Sequence, residues 1–339
     1  MGQALRMQFM ALGDVLARQG DWVERVLGVT LFGADAAPQA LCAQGVPVVR
    51  VQAPVAGARQ PACEVWLADR AVRSGRSARA RWRATESVMF VAPDIDPDAA
   101  LEAGAEAAYT ALFDAVEAAG YPHLLRVWNH IGDINGDDAG LERYRRFNIG
   151  RQQAFLARRR QVAGAGVPAA SALGARADAP LCVYALAARA APHGIENPRQ
   201  ISAYHYPADY GPRAPTFSRA NLLGGDAPVL FVSGTASIVG HQSLHPGDVR
   251  EQTRETLRNI AALLEVGRAE HGLRLALADL QFKVYLRDAA HRDAVHEELA
   301  GVIGALPDAL FLQADICRQE LLVEIEAVAV PERERACAA

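Results

Sequence analysis

Two glutamates in an apolar segment near the C-terminus are the residues whose chemistry stands out first. The segment 315–330 predicts a strand whose side chains alternate between two faces. One face carries Leu321, Val323, Ile325, Ala327 and Ala329. The other face carries Glu320, Leu322, Glu324, Glu326 and Val328. Two alternatives stay open: the glutamates are solvated, or Glu324 is partly buried, where desolvation raises its pKa and makes it a proton donor.

Arginines and tyrosines cluster in a segment that precedes these glutamates. Residues 200–220 are rich in arginine, tyrosine, proline and glycine, a composition too aromatic for a flexible linker. We interpret the segment as an ordered binding loop, in which Arg213 and Arg219 suit a carboxylate or a phosphate. Arg151, at the end of the run 144–151, is a further candidate. The alternative for Arg151 is an ordinary surface arginine.

A small-residue loop and a pair of histidines follow a predicted strand. Residues 233–241 include Gly234, whose missing side chain lets a ligand approach the backbone closely. No Gly-Lys-Ser/Thr follows, so the segment is not a phosphate-binding P-loop. His241 and His245 have the spacing of a helical metal pair, but neighbouring glycine and proline residues place them in a loop. We expect no metal site and no organic cofactor.

Composition and charge exclude several classes of protein. The 339 residues carry a formal net charge of −4, which argues against nucleic acid or an anionic membrane as the main partner. No apolar run reaches the roughly 18 residues of a membrane span, and the N-terminus lacks the pattern of a signal peptide. Five scattered cysteines suit free thiols in a reducing compartment. We expect a cytoplasmic protein.

The elements that must position these residues form two similar series of strand, helix, strand, helix and strand. The first series lies at 88–92, 99–119, 124–130, 141–160 and 180–187. The second series lies at 229–233, 249–264, 280–286 and 289–303, and it closes with two strands at 309–313 and 321–330. Asp248 followed by Glu251 resembles a capping box at the start of a helix in the second series. The matched order predicts an internally duplicated α+β unit.

The expected domain division follows from this duplication. We predict an N-terminal domain at 1–190, a Tyr/Arg-rich connecting segment at 191–228 and a C-terminal domain at 229–339. Residues 1–85 are the least regular part of the first domain, and no function is assigned to them.

Several of these segments together resemble a known family. Each half is similar to the RidA/YjgF fold, and the whole chain resembles the chorismatases, which are duplicated YjgF-like enzymes. The segments that carry the resemblance are 126–155, 202–219, 231–241 and 315–330. It implies an α+β fold of two tandem YjgF/RidA-like (chorismate mutase-like) units, each a β-sheet with two helices packed on one face. It also implies a monomer or a small homo-oligomer.

The resemblance implies an activity and roles for particular residues. Chorismatases cleave the enolpyruvyl ether of chorismate and release pyruvate, giving either 3-hydroxybenzoate or a dihydroxycyclohexadiene carboxylate. The family's catalytic glutamate falls on Glu324, and Cys317, seven residues earlier, has the spacing associated with the 3-hydroxybenzoate group. Chorismate is a dicarboxylate and needs cationic anchors and hydroxyl partners, for which the candidates are Arg151, Arg213, Arg219, Tyr144 and Tyr206. The rival interpretations are the hydrolytic reaction and a YjgF-like imine hydrolase or binding protein.

Overall fold

Three large β-sheets, accompanied by two small two-stranded sheets, divide the chain in the computed structural model, which describes residues 5–34, 36–58, 60–304 and 309–330. The first sheet is built from the N-terminal part of the chain, where the sequence pattern was least regular. Its unit consists of β1 (Leu5–Ala11), α1 (Leu12–Ala17), α2 (Asp21–Arg25), β2 (Val26–Phe32), α3 (Gln39–Ala43), β3 (Val48–Val51) and β4 (Ala62–Ala68).

The second and third sheets each belong to a unit with two long helices. The second unit consists of β5 (Arg73–Ser77), β6 (Ala80–Ala84), β7 (Val88–Pro93), α4 (Leu101–Ala119), β8 (His123–Gly132), β9 (Asp137–Asp138), β10 (Leu141–Glu142), α5 (Arg143–Ala157), β11 (Ala169–Ala175) and β12 (Cys182–Ala188). The third unit consists of β13 (His193–Ile195), β14 (Ala220–Leu223), β15 (Val229–Ala236), β16 (Ile238–Val239), β17 (Gln242–Ser243), α6 (Val249–His271), β18 (Gln281–Leu286), α7 (Arg292–Ile303), β19 (Ala309–Gln313) and β20 (Val323–Ala329).

The strand order identifies these units as copies of one fold. The second sheet runs β5-β6-β7-β12-β8-β11, and the third runs β13-β14-β15-β20-β18-β19. Numbered within its own unit, each six-stranded sheet therefore has the order 1-2-3-6-4-5. The corresponding pairs β8–β11 and β18–β19 are both parallel. The two tandem α+β units predicted from the sequence are confirmed.

The first sheet adds a shorter third copy that the sequence did not predict. Its order, β1-β4-β2-β3, matches the last four positions of the six-stranded sheets, and β2 and β3 are parallel like their counterparts. Strand β2 is buried along its whole length, so it shows no alternation of polar and apolar residues. The missing alternation explains why this copy is hard to recognise in the sequence.

The long helices end and begin where the sequence indicated. Gly120 ends α4 in the left-handed conformation, with φ of 78°, a conformation that favours glycine. Asp248 caps α6 by accepting a hydrogen bond from the backbone N–H of Glu251 at 3.0 Å. The helices of each unit cover one face of its sheet, where apolar side chains form a separate core.

The opposite faces of the three sheets enclose a common aromatic core. Trp66 of the first sheet lies 6.0 Å, between ring centroids, from both Trp128 of the second and Phe231 of the third. Trp128 stacks on Tyr184 at 4.9 Å. Because side chains from all three sheets share this core, the N-terminal sheet is part of the same packed structure and not an appendage.

The sheets also correct two expected boundaries. Strands β13 and β14 lie within residues 191–228, the segment expected only to connect the domains, and they form the first two strands of the third sheet. Residues 1–190, expected to form one unit, include the whole first sheet in addition to the second. Short edge strands and a fully buried strand carry little periodic signal, which is the reason for both differences.

Candidate active site

A cavity of about 450 Å³ lies between the second and third units. The second unit contributes the loop after β8 and the start of α5, including Tyr144 and Arg145. The third unit contributes the end of β15, the segment 317–320 and Glu324 near the start of β20. The volume is within the range of small-molecule binding sites.

Glu324 reaches this cavity from the inner face of β20. It lies opposite Ala236 of β15 and Tyr285 of β18 and is 4% exposed. The structure therefore decides between the two alternatives left open by the sequence, because this face of the strand is buried. Gly234 makes room for the carboxyl: a Cβ there would collide with Oε1 of Glu324 and lie 3.0 Å from Cβ of Ser171. The absence of a side chain at Gly234 therefore leaves the space that the Glu324 carboxyl occupies.

The surroundings of Glu324 favour its protonated form. Burial, and after it the negative charge of Glu326, raises the pKa of the Glu324 carboxyl to about 8. The positive charges of Arg126 and Arg219 oppose this shift without cancelling it. At neutral pH the side chain is mostly a carboxylic acid, which can donate a proton.

Glu326, two residues along the same strand face, is the opposite case. Its carboxylate accepts hydrogen bonds from Arg126 at 2.5 Å, Trp128 at 2.8 Å and Ser171 at 2.9 Å, and it pairs with Lys283 at 2.7 Å. Burial opposes ionisation, but Lys283 and Arg126 outweigh it and lower the pKa of Glu326 to about 2. Glu326 is therefore a fixed negative charge beside Glu324.

Cys317 and Tyr144 lie on the cavity wall close to Glu324. Burial, and then the charge of Glu324, raises the pKa of the Cys317 thiol to about 12, so it is a thiol and not a thiolate. Burial and the nearby Cys317 also raise the pKa of Tyr144. Both predicted site residues are thus brought together with the glutamate, as neutral groups.

Arg219 supplies positive charge at the cavity, and Tyr206 is its hydrogen-bond partner there. Its Nη2 donates to the hydroxyl of Tyr206 at 2.9 Å and to the backbone carbonyl of Ile201 at 2.7 Å. The guanidinium lies 5.2 Å from the ring centroid of Phe217. These contacts hold a 5% exposed arginine in a single orientation beside the cavity.

Arg318 is a second cation in the lining, and the sequence did not single it out. Its guanidinium lies 4.1 Å from the ring centroid of Tyr210, and Nη1 donates to the backbone carbonyl of His241 at 2.8 Å. Nη2 is buried without a hydrogen-bond partner among the described residues. Arg318 directly follows Cys317, and this position next to a predicted site residue is the feature of the sequence that could have identified it.

Two predicted binding arginines lie elsewhere. Arg213 is exposed and does not contribute to the cavity wall, so its expected role is corrected; the turn at Gly211, with φ of 133°, precedes it. Arg151 is buried outside the cavity lining, where Nη2 donates to Asn148 at 2.7 Å and the guanidinium lies 5.2 Å from the Phe147 ring. Arg151 is in a position to support the cavity wall.

The described residues contain no group of three or more histidine, cysteine or acidic side chains placed to hold a metal ion. Within the same part of the chain, no helix is long and apolar enough to cross a membrane.

Comparison with known proteins identifies the family. Residues 64–187 match the family model "Chorismatase FkbO/Hyg5-like, N-terminal", and residues 216–331 match "Endoribonuclease L-PSP". A 3-hydroxybenzoate synthase of Streptomyces hygroscopicus is 39% identical over 285 residues, which cover 81% of this chain and 83% of the relative. This chain belongs to the chorismatase family. It is therefore an enzyme, and the resemblance noted in the sequence is confirmed.

Other chorismatases extend the match to the whole fold. A chorismatase of Streptomyces rapamycinicus is 41% identical over 276 residues, covering 78% of this chain and 81% of the relative. A crystal structure of a chorismatase superposes with a TM-score of 0.87 at 34% identity, covering 97% of this chain and 99% of that chain. The chorismatase fold thus includes the N-terminal sheet as well as the two six-stranded units.

Proposed function

We propose that this enzyme cleaves the enolpyruvyl ether of chorismate and releases pyruvate, with Glu324 as the general acid. The observation that carries the proposal is a buried carboxyl, protonated near neutral pH, at the wall of a small-molecule cavity. An enol ether is cleaved once its terminal methylene carbon is protonated, because the resulting oxocarbenium ion breaks down readily. That step requires an acid that retains its proton at the operating pH.

Arg219 and Arg318 are the proposed anchors for the two carboxylates of chorismate. Each guanidinium is held against aromatic rings and borders the cavity that Glu324 lines. A guanidinium binds a carboxylate in a fixed, charge-assisted geometry. Anchoring both ends of the substrate orients the ether relative to the acid, and orientation accounts for a large part of many rate enhancements. Tyr144 and Tyr206 are the proposed hydroxyl partners, and Arg151 is proposed to support Tyr144.

The proposed aromatic product is 3-hydroxybenzoate. The atoms of 3-hydroxybenzoic acid and pyruvic acid together are those of chorismic acid, so this route neither consumes nor releases water. The hydrolytic route adds one water molecule and gives the dihydroxycyclohexadiene carboxylate. Cys317 borders the cavity as a neutral thiol, and the 3-hydroxybenzoate synthase of Streptomyces hygroscopicus is among the relatives; both favour the first product.

The decisive experiment is incubation of the purified protein with chorismate, followed by measurement of pyruvate and chromatography of the ring product. We expect pyruvate and 3-hydroxybenzoate in equal amounts. Glu324→Gln keeps the shape but has no acidic proton, so pyruvate release is expected to fall by about 100-fold or more. Glu265→Gln, at an exposed position of α6, is the matched control and is expected to keep full activity. Normal pyruvate release by Glu324→Gln would remove the proposed role.

A further inference from the structure

A second cavity, of about 310 Å³, lies where the first unit meets the second. Val49, Arg50 and Gln52, at and just after the end of β3, line it on the side of the first unit. The second unit contributes the end of β7, the start of β12 and Arg81 of β6. None of these residues takes part in the candidate active site, so the cavity is a separate one.

This cavity occupies the same architectural position as the candidate active site. Strand β3 of the first unit corresponds to β11 of the second. The end of each of these strands meets the loop that precedes the last strand of the following unit, β12 or β20. Beside the active site, the N–H of Gly174 donates to the carbonyl of Asp315 at 2.6 Å. Beside the second cavity, the N–H of Arg176 donates to the carbonyl of Gln52 at 2.9 Å. The two cavities therefore lie at corresponding junctions between consecutive units.

We propose that this second cavity binds a small organic carboxylate without converting it. Arg50 and Arg81 contribute positive charge, and the lining formed by described residues contains no aspartate or glutamate. Asp94, outside the lining, pairs with Arg81 at 3.3 Å and neutralises part of that charge. Glu324 lies at the start of β20, and the residues at the corresponding start of β12 are Cys182 and Val183, which carry no carboxyl group. The lining of the second cavity therefore has no carboxylic acid that could donate a proton in catalysis.

His130 provides a hydrogen-bonding group at the buried side of the cavity. It is fully buried, and both ring nitrogens lack a hydrogen-bond partner among the described residues. The ring stacks on Tyr184 with centroids 6.2 Å apart, which fixes its orientation. A buried polar group without a partner is costly, and a carboxylate oxygen in the cavity would accept the N–H of the neutral imidazole.

The apolar part of the cavity wall determines which group attached to the carboxylate fits best. Ala92, Ile95, Leu181 and Val183 give the cavity an apolar surface next to its cations. Such a surface favours a carboxylate attached to a flat hydrocarbon ring over a fully hydrated inorganic anion, because burying the ring adds hydrophobic free energy. A benzoate is the simplest molecule of this chemical class.

Crystals of the full chain soaked with 3-bromobenzoate test the location directly. Anomalous diffraction at the bromine edge is expected to show a peak in the second cavity, beside Arg50 and His130. The uncharged 3-bromobenzamide is the matched ligand, and it is expected to give no peak there. A bromine peak confined to the active site, no peak at all, or equal occupancy by the amide would overturn the proposal.

Calorimetric titration with 3-bromobenzoate tests the site in solution. Arg219→Ala serves as the background, because it is expected to weaken binding in the active site and so to leave the second cavity as the main site. Adding Arg50→Met is expected to weaken the remaining binding by about tenfold or more, the loss of one charge-assisted pair. Adding Arg79→Met instead, at an exposed position outside both cavities, should change nothing. Equal affinities of the Arg50→Met and Arg79→Met proteins would refute the assignment.

Discussion

Glu324 and Glu326 stand two residues apart on one strand face and have opposite protonation states at neutral pH. The difference follows from the charges nearby. Glu64 and Glu326 are matched by Lys283 and Arg126 in one buried network, so its net charge is close to zero. An ionised Glu324 would add a negative charge with no dedicated partner in a site of low dielectric constant. Keeping its proton is the less costly state.

The pH dependence of the reaction should report this arrangement. The proposed mechanism requires the acid form of Glu324, whose pKa in the free enzyme is about 8, so kcat/KM for pyruvate release is expected to fall as the pH rises through about 8. Glu326→Gln removes the neighbouring negative charge and leaves Lys283 and Arg126 in excess. The pKa of Glu324 should then decrease, and the descending limb of the profile should move to lower pH. A limb that stays in place while only the rate declines would contradict this coupling.

Cys317 should influence which product forms more than whether the ether is cleaved. Because its pKa is about 12, it acts through the shape and weak polarity of a thiol, not as a thiolate base. Cys317→Ala is expected to leave pyruvate release largely intact while shifting the product from 3-hydroxybenzoate towards the dihydrodiol, measured by chromatography. Cys317→Ser, similar in size, should shift it less. An unchanged ratio in Cys317→Ala would mean that the residue only packs.

At the scale of elements, two irregular segments carry the two arginines proposed as substrate anchors. Residues 196–219 place Arg219, and the loop between β19 and β20 places Arg318. Arg219→Ala and Arg318→Ala should each raise the KM for chorismate roughly 30-fold, corresponding to a loss of about 2 kcal/mol. Arg213→Ala is the matched control, since this exposed arginine belongs to the same segment as Arg219. Equal effects of Arg213→Ala and Arg219→Ala on KM would contradict the assignment.

The sequence predicted the regular elements better than these loops. Alternation located β20 and its two glutamates, and helix periodicity with Gly120 and Asp248 located α4 and α6. Arg213 and Arg318 show the limit, because the direction of a loop side chain depends on turns and on contacts distant in sequence. Arg318 is held by the ring of Tyr210, more than a hundred residues away, and no local pattern records that contact.

At the scale of the whole molecule, three copies of one unit meet in a single chain, and a charged network joins them at the centre. Glu64 comes from the first sheet, Arg126 from the second, and Lys283 and Glu326 from the third. Lys283 is the only lysine in the sequence, and it is 2% exposed. Glu64 of the N-terminal sheet pairs with Lys283, which also pairs with Glu326. The N-terminal sheet is therefore linked, through this network, to the charge that raises the pKa of Glu324.

Lys283→Met tests how strongly this network holds the sheets together. The variant leaves Glu64 buried, with Trp66, at 2.7 Å, as its one side-chain hydrogen-bond donor in the described part of the chain. Removing one partner of a buried ion pair is expected to lower the free energy of unfolding by about 3–5 kcal/mol. Adding Glu64→Gln removes the unpaired carboxylate, so the double variant should be more stable than Lys283→Met alone. Urea denaturation of the wild type, both single variants and the double variant measures the effect.

An exposed ion pair supplies the control for this comparison. Arg268 and Glu265 are paired on the surface of α6 with most of both side chains in solvent, so Arg268→Met should change stability by no more than about 0.5 kcal/mol. If Lys283→Met costs as little as Arg268→Met, the central network does not hold the sheets together. If the double variant loses the sum of the two single losses, Lys283 and Glu64 act independently, and the first sheet is then held to the third by other contacts, such as the aromatic core and the hydrogen bond from Gln281 to the backbone carbonyl of Met7 at 3.2 Å.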